Sequence, residues 1–361
     1  MRSAMQPVWR LHISIALGSV MRYAAPYFYP QRYRLPRLPQ AGNTETAGTE
    51  SRTMSAVTAE ASIPAATHAP APGIGRDGAD ALLYGVVGWP LTQSLSPLLH
   101  NTGFKTLGLP GLYLRWEVPP QRLAAFVDSV RLLNIRGCSV TIPHKVALLP
   151  LLDEVSPLAR RVGAVNTIYW RGGLLYGDNT DVAGFMAPLA QEALGGANVL
   201  VLGAGGAARA VAAGLTALEP GSRPENIYVA TPSDRSHLPL AEEFGLKPLD
   251  WSRRHDVPAL LVVNTTPLGM RGKAEGESPY SFETTGKNLG PHAAGATAIA
   301  YDIVYNPLKT RFLQEAARAG RRCLTGLDMF FGQGDAQFRL WTGQPLPLNA
   351  RHALETALAA S

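Results

Sequence analysis

Lys145 closes the run Ser139-Val-Thr-Ile-Pro-His-Lys145, just past a strand pattern. That is where α/β proteins gather their chemistry. An ammonium there could donate a proton or steady a developing oxyanion, although a solvated surface charge would read the same way. Other segments carry groups such chemistry would use. Ser94 and Ser96 lie in Gly88-Trp-Pro-Leu-Thr-Gln-Ser94-Leu-Ser96-Pro-Leu-Leu-His100-Asn101, where Ser96-Pro97 reads as a helix start with serine as N-cap. Two hydroxyls at a helix N-terminus suit a carboxylate or phosphate, or simply cap the helix. Asn166, in Gly163-Ala-Val-Asn166-Thr-Ile, is either a turn residue or an amide able to donate and accept toward a polyol. Asp178 and Asp181 precede the periodic Phe185 and Leu189, so one of them is expected to cap the next helix. The competing reading makes Asp181 the carboxylate that keeps Lys145 charged and oriented.

The elements that would position these groups alternate strand and helix. Val140 and Ile142 alternate with Ser139 and Thr141 as one apolar face, and Pro143 ends that strand. Further strands are expected around Tyr84–Gly88 and Val165–Tyr169, separated by helices as in βαβ units. Leu123, Phe126, Val127, Val130 and Leu133 recur at helical spacing and read as core. The apolar strand Asn198–Leu202 runs into Gly203-Ala204-Gly205-Gly206-Ala207-Ala208, a G-x-G-x-x-A pattern. There Gly203 permits the tight turn and Gly205 a close approach to a pyrophosphate. Asn264-Thr-Thr-Pro-Leu-Gly-Met270 reads as a loop after the strand Leu260–Val263. The fold class is α/β.

Together these segments resemble the shikimate dehydrogenase family over roughly residues 83 to 350. The resemblance continues through Tyr301-Asp-Ile-Val-Tyr305-Asn-Pro, Gly326-Leu-Asp-Met329, and Gln333 ahead of Phe338-x-Leu-Trp341-Thr-Gly. It implies a two-domain protein with its cleft between a substrate domain, residues 81–180 plus 326–361, and a Rossmann domain, residues 181–325. It implies reversible, NADPH-linked reduction of 3-dehydroshikimate to shikimate in aromatic amino acid biosynthesis. By motif, Lys145 is the catalytic lysine and Asp181 its partner. Ser94 and Ser96 match ligands of the substrate carboxylate, and Thr141, Asn166, Asp181, Tyr305 and Gln333 match ligands of the ring hydroxyls. Gly203, Ala204, Gly205, Gly206 and Ala207 match the pyrophosphate loop, and Ile303, Gly326 and Met329 fall near the nicotinamide. No metal is implied, and the eight histidines and two cysteines show no ligand spacing.

Three positions depart from the family pattern. Ser139 stands where an asparagine is usual, and Pro157 replaces a polar residue, so Ser156-Pro157 is expected to act as a helix cap. After the strand Asn226–Ala230 the chain reads Thr231-Pro-Ser-Asp234-Arg235 in place of Asn-Arg-Thr. The usual first arginine for the 2′-phosphate is missing, and Arg235 matches a second basic position. No acid sits at the strand end, as an NAD site would prefer, although Asp234 is close. NADP is therefore expected, with NAD or quinate use, or a non-catalytic shikimate-binding regulator, as alternatives. Ser96 favours shikimate, because quinate-using relatives often carry threonine there.

The net charge of +6 across 361 residues comes from the start of the chain. Residues 1–44 hold six arginines and no acid, and the remainder has 27 basic and 27 acidic residues. The basic pI is thus no argument for nucleic-acid binding. That start has transit-peptide composition; a start at Met54, or a disordered tail over 1–80, is the preferred reading. The apolar run Leu11–Met21 is too short to span a membrane. Cys138 and Cys323 make no disulfide framework, which fits the cytoplasm. The partners expected are small molecules, with the protein a monomer or homodimer.

Overall fold

The computed structural model describes residues 80–91, 94–232, 235–282 and 297–360. The expected tail, the run Leu11–Met21 and Met54 lie outside the described residues, as do Ser233 and Asp234 of the cofactor loop. Two sheets organise the remainder. The first contains β1 (Leu82–Gly88), β2 (Gly111–Glu117), β3 (Gly137–Val140), β4 (Glu154–Val155), β5 (Thr167–Arg171) and β6 (Leu174–Asp178). Its order is β2-β1-β3-β5-β6-β4, with β3, β5 and β6 antiparallel and the other pairings parallel. The second contains β7 (Asn198–Leu202), β8 (Asn226–Ala230), β9 (Lys247–Pro248), β10 (Leu261–Asn264), β11 (Ile299–Asp302) and β12 (Arg322–Leu324). It is wholly parallel, in the order β12-β11-β10-β7-β8-β9. Strand order reverses between β7 and β10, which opens a crevice at their carboxyl ends.

Helices cover both faces of each sheet. They are α1 (Ser96–Leu107), α2 (Leu123–Leu132), α3 (His144–Ala147), α4 (Pro157–Val162) and α5 (Asp181–Met186). After these come α6 (Gly206–Thr216), α7 (Leu238–Phe244), α8 (Arg311–Arg318), α9 (Gly326–Thr342) and α10 (Leu348–Ala359). Double coverage explains the continuous apolar strands. In β7, Val199 and Val201 face one core while Leu200 and Leu202 face another. In β1, Tyr84 and Val86 pack with Leu99, Phe104, Leu327, Phe338 and Leu354, so α9 and α10 return to the first sheet. Val87 turns to the opposite core, with Phe126, Val127, Val130, Cys138 and Val140.

Several local expectations need correction. The strand through Val140 stops there; Thr141 N–H still donates to the Val87 carbonyl, but His144 N–H then closes a turn on the Thr141 carbonyl. That turn leaves Ile142 74% exposed, so Ile142 is not part of an apolar strand face. Leu133 lies beyond the last residue of α2 and is exposed; Ile135 takes the core position instead. Ser96 is the first residue of α1 and Leu95 the N-cap, with no side-chain cap bond. Neither Asp178 nor Asp181 caps α5; Thr180 holds that place, and Asp178 accepts from Ser156 Oγ and Asn179 N–H. Ser156 does cap α4, its hydroxyl accepting from Ala159 N–H at 3.0 Å.

One helix crossing bears directly on the cleft. Gly184 of α5 lies against Gly332 of α9, and a Cβ on Gly184 would sit 2.5 Å from the Met329 carbonyl oxygen and 2.7 Å from Gln333 N. Both obstacles are backbone, so a side chain can only drive the helices apart. Gly184→Val should destabilise the protein by about 1–3 kcal/mol, read as a lower urea midpoint at unchanged m-value.

Candidate active site

The ends of these elements converge on a cleft of about 400 Å³. Lys145 is set by α3, whose short turn follows β3 directly, and its backbone carbonyl accepts from Val165 N–H at 2.8 Å. That bond fixes the lysine against the segment leading to Asn166. Lys145 Nζ donates to Asp181 Oδ2 at 2.6 Å, with the two side chains 28% and 14% exposed. Asp181 opens α5, and its other oxygen accepts from Asn166 Nδ2 at 2.8 Å. The pair is thus partly desolvated, matched in charge and held by a third group.

Asn166 cannot turn its amide around. Its Oδ1 accepts from Thr180 N–H at 2.7 Å and from Thr167 Oγ1 at 2.7 Å. A backbone N–H can only donate, so the Nδ2 end must face Asp181. At the far wall, Ser94 and Ser96 line the same cleft, and Ser94 Oγ accepts from Ser96 N–H at 3.3 Å. Behind them His100 is fully buried and stacked on Tyr113, ring centroids 4.5 Å apart. Thr141, Tyr305 and Gln333 complete the polar lining. Burial pushes the Tyr305 hydroxyl above its ordinary range, keeping it a neutral donor.

Ala207, Ile303, Gly326 and Met329 line the cleft on the side of the second sheet. Gly326 has a mechanical reason to be glycine, since a Cβ would strike the backbone of Ile303 and Val304. Asp302, just before Ile303, accepts from Asn264 Nδ2, Val304 N–H and Thr310 Oγ1, while burial pushes its carboxyl up to about 7. Gly203, Ala204, Gly205 and Gly206 lie at the head of β7 and the start of α6, outside that lining. Gly203 has φ +115°, and a Cβ there would meet Thr265 Oγ1. Around Gly205 and Gly206 there is open space. A turn pressed from behind and open in front of a helix N-terminus fits a dinucleotide pyrophosphate. Arg235 does not join the cleft; it is exposed, just past β8. Beside it Thr231 Oγ1 lies 3.0 Å from both His237 Nδ1 and Ser236 Oγ.

Two polar residues of the lining escaped the site expected from sequence. Ser139 stands out in the sequence only as a departure from the family pattern, and Gln337 does not stand out at all. The available signal was spacing: Gln337 follows Gln333 by one helical turn and so shares its face.

A switch-point glycine turn beside a cleft holding a lysine–carboxylate pair defines a two-domain nucleotide-binding α/β protein of the dehydrogenase type. Residues 86–168 match the model of the shikimate dehydrogenase substrate binding domain, and 326–350 that of the shikimate 5'-dehydrogenase C-terminal domain. The shikimate dehydrogenase (NADP(+)) of Pelobacter propionicus is 52% identical over 281 residues, covering 77% of this chain and 97% of that protein. The chain belongs to the shikimate dehydrogenase family. The shikimate 5-dehydrogenase of Thermus thermophilus, solved with NADP(H) and shikimate, is 39% identical with TM-score 0.66, covering 77% of this chain and 100% of that one. The quinate dehydrogenase of Corynebacterium glutamicum, solved with NAD, is 29% identical with TM-score 0.67, over 76% and 99%.

His100 supplies a pH test of the wall behind the serines. Burial is the chief cause pulling it from 6.5 to about 3, against a weaker raising influence of Gln337. The unfolded chain therefore takes up this proton first. The stability due to neutral His100 is present above pH 6.5 and is lost as pH falls toward 3, at about 1.4 kcal/mol per unit. His100→Leu should flatten the acid side of a stability–pH curve by one proton, measured by urea unfolding between pH 7 and about 4.

Proposed function

We propose that this chain catalyses the reversible, NADP-linked interconversion of 3-dehydroshikimate and shikimate, as the relatives' names indicate. The observation that carries the reading is the Lys145–Asp181 pair at 2.6 Å, in one cleft with Ser94, Ser96 and the nicotinamide-side residues. The nicotinamide cofactor, when bound, supplies or accepts the hydride. The chain's own work is placement and proton handling. Ser94 and Ser96 hold the substrate carboxylate at the start of α1. Thr141, Asn166, Tyr305 and Gln333 hold the ring hydroxyls. In the reducing direction Lys145 Nζ gives its proton to the former ketone oxygen as negative charge develops there, and in the oxidising direction it takes that proton back. Asp181 keeps the ammonium aimed at that oxygen. Gly203 to Ala207 hold the pyrophosphate, and Ile303, Gly326 and Met329 border the nicotinamide.

In this reading residues 81–180 with 326–361 form the substrate domain, and residues 181–325 the cofactor domain. We place the protein in the cytoplasm, as a monomer or homodimer; Cys138 and Cys323 are free thiols, in keeping with a reducing compartment. Among the described residues no helix is long and apolar enough to cross a membrane, and no cluster of three or more His, Cys, Asp or Glu could hold a metal.

Initial rates with shikimate or quinate, each with NADP⁺ or NAD⁺, test the reading. Shikimate with NADP⁺ should be clearly preferred; a preference for quinate with NAD⁺ would move the chain toward its Corynebacterium relative. Lys145→Met and Asp181→Asn should each lower kcat by about a hundredfold or more. Binding without turnover in the unaltered chain would mark a regulator instead. Arg235→Ala should raise the Michaelis constant for NADP⁺ about tenfold and leave that for NAD⁺ unchanged, as expected for one lost charge-assisted contact.

A further inference from the structure

The hydrogen bonds behind the cleft form one chain with a single direction. Tyr113 Oη donates to Ser139 Oγ at 2.6 Å, and Ser139 Oγ donates to Gln337 Oε1 at 2.7 Å. Gln337 Nε2 donates to Thr167 Oγ1 at 3.1 Å and to the Asn166 carbonyl at 3.4 Å. Thr167 Oγ1 donates to Asn166 Oδ1, and Asn166 Nδ2 to Asp181 Oδ1. The direction is forced, because both amides are pinned by backbone groups with only one role. The Asn166 carbonyl can only accept, so it fixes the Nε2 end of Gln337. Thr180 N–H can only donate, so it fixes the Oδ1 end of Asn166. Ser139 must then give its proton to Gln337 and accept from Tyr113, while Thr167, accepting from Gln337, gives its proton to Asn166 Oδ1 at 2.7 Å or to Thr180 Oγ1 at 3.0 Å, whose own hydroxyl lies 3.1 Å from Asn166 Oδ1. By either route the side-chain donors run from Tyr113 to the Asn166 amide, which donates to the Asp181 carboxylate. Ser139, Thr167, Asn166 and Gln337 are all buried, a setting in which such chains polarise one another.

We infer that Gln337 is a positioning residue: through Thr167 and the Asn166 backbone it braces the Asn166 amide, whose direction Thr180 N–H fixes, and so helps hold Asp181 on Lys145. The inference rests on the proposed roles of Lys145 and Asp181. Gln337 is suited to the task because it joins α9 to both β3 and the start of β5, through Ser139 and Thr167. An amide moves no proton under ordinary conditions, so the chain orients and polarises; it is not a proton wire.

Two variants test this. Gln337→Met keeps the volume and removes both bonds. Gln337→Glu keeps the shape, but its ionised form can only accept, against an Asn166 carbonyl that also only accepts; its protonated form restores one donor. Besides the Asp181–Lys145 pair the chain serves, the titratable groups packed around Gln337 are His100, held by burial at about 3, and Tyr113, driven by burial far above its ordinary value. Neither changes state between about pH 6 and 9, so the inserted carboxyl supplies the differential signal.

With shikimate and NADP⁺, Gln337→Met should lose about tenfold in kcat while the Michaelis constant for shikimate stays within about twofold. For Gln337→Glu, kcat relative to the unaltered chain should fall as pH rises from about 6 to 9. A raised Michaelis constant with kcat intact would overturn the inference and make Gln337 a substrate contact. Losses that are equal at every pH and follow the thermal midpoint would overturn it in favour of plain packing. A second readout needs no turnover: Lys145 in Gln337→Met should be acylated by acetic anhydride about threefold or more faster than in the unaltered chain, quantified by mass spectrometry. Unchanged labelling would overturn the inference even if the unaltered chain proved inactive on shikimate, an outcome that would separately defeat the proposed function.

Discussion

The Asp181 carboxylate, partly withdrawn from water at the wall of the cleft, needs a partner for each of its oxygens. Its side chain is 14% exposed, and the ammonium it faces is 28% exposed. A charge drawn that far from solvent is tolerated only if it is paired and its remaining lone pairs are bonded. One oxygen takes the Lys145 bond and the other takes the Asn166 amide. Those two demands come from different parts of the chain. Lys145 hangs from the end of β3, Asn166 precedes β5, and Asp181 begins the helix that leaves β6. A carboxylate so placed ties three strand ends of the first sheet to the helix that carries the chain toward the second. The glycine contact between α5 and α9 then sets how near that helix can stand to the wall bearing Gln333 and Gln337.

Each feature near the pair shows the same economy of conformational freedom. The Lys145 carbonyl is occupied by Val165 N–H, so the lysine cannot drift from the strand that brings Asn166. Asn179 donates to the Ala164 carbonyl and accepts from Asp181 N–H, which locks the first turn of α5. Ordering these groups during folding rather than during binding means that less entropy is lost when a ligand arrives. The cleft is a cavity built from element ends, and its polar groups are fixed by the sheets behind them.

The alternation of strand and helix and the strand–glycine–helix turn were legible in the sequence because they rest on local signals, whereas Thr141, Tyr305 and Gln333 of the polar lining were reached only through the family resemblance. Asn198–Leu202 followed by Gly203 carries its own periodicity and turn chemistry, and Asn226–Ala230 appears as a strand with the expected bounds. Errors fell at element ends, where one turn bond or one cap position decides, and at bonds of long sequence span. Ile142 alternates correctly for a strand, yet the His144–Thr141 turn takes it out. Ser96 has the composition of an N-cap, but Leu95 supplies the backbone geometry and frees the Ser96 hydroxyl from capping. Gln337 is an unremarkable helix residue by composition. Its partners Ser139 and Thr167 lie 198 and 170 residues away in sequence, and no local pattern reports a bond of that span.

The end of β8 raises a different kind of question, one of charge at a place with little packing. Ala230 closes the strand fully buried, without the acid that would bond a ribose diol and repel a phosphate. Thr231 is buried as well, and its hydroxyl is engaged with His237 and Ser236. On the proposed reading, discrimination between the two nicotinamide dinucleotides would pass from the strand end to the turn, where Arg235 is the exposed cation among the described residues. A guanidinium in that position has little cost to recover from desolvation and gains a strong partner only when a phosphate is present. Such an arrangement favours the phosphorylated cofactor by attraction, without excluding the other by repulsion. An enzyme built this way would be selective by degree, and the ionic strength of the medium would weaken that selectivity before it weakened binding of the shared pyrophosphate.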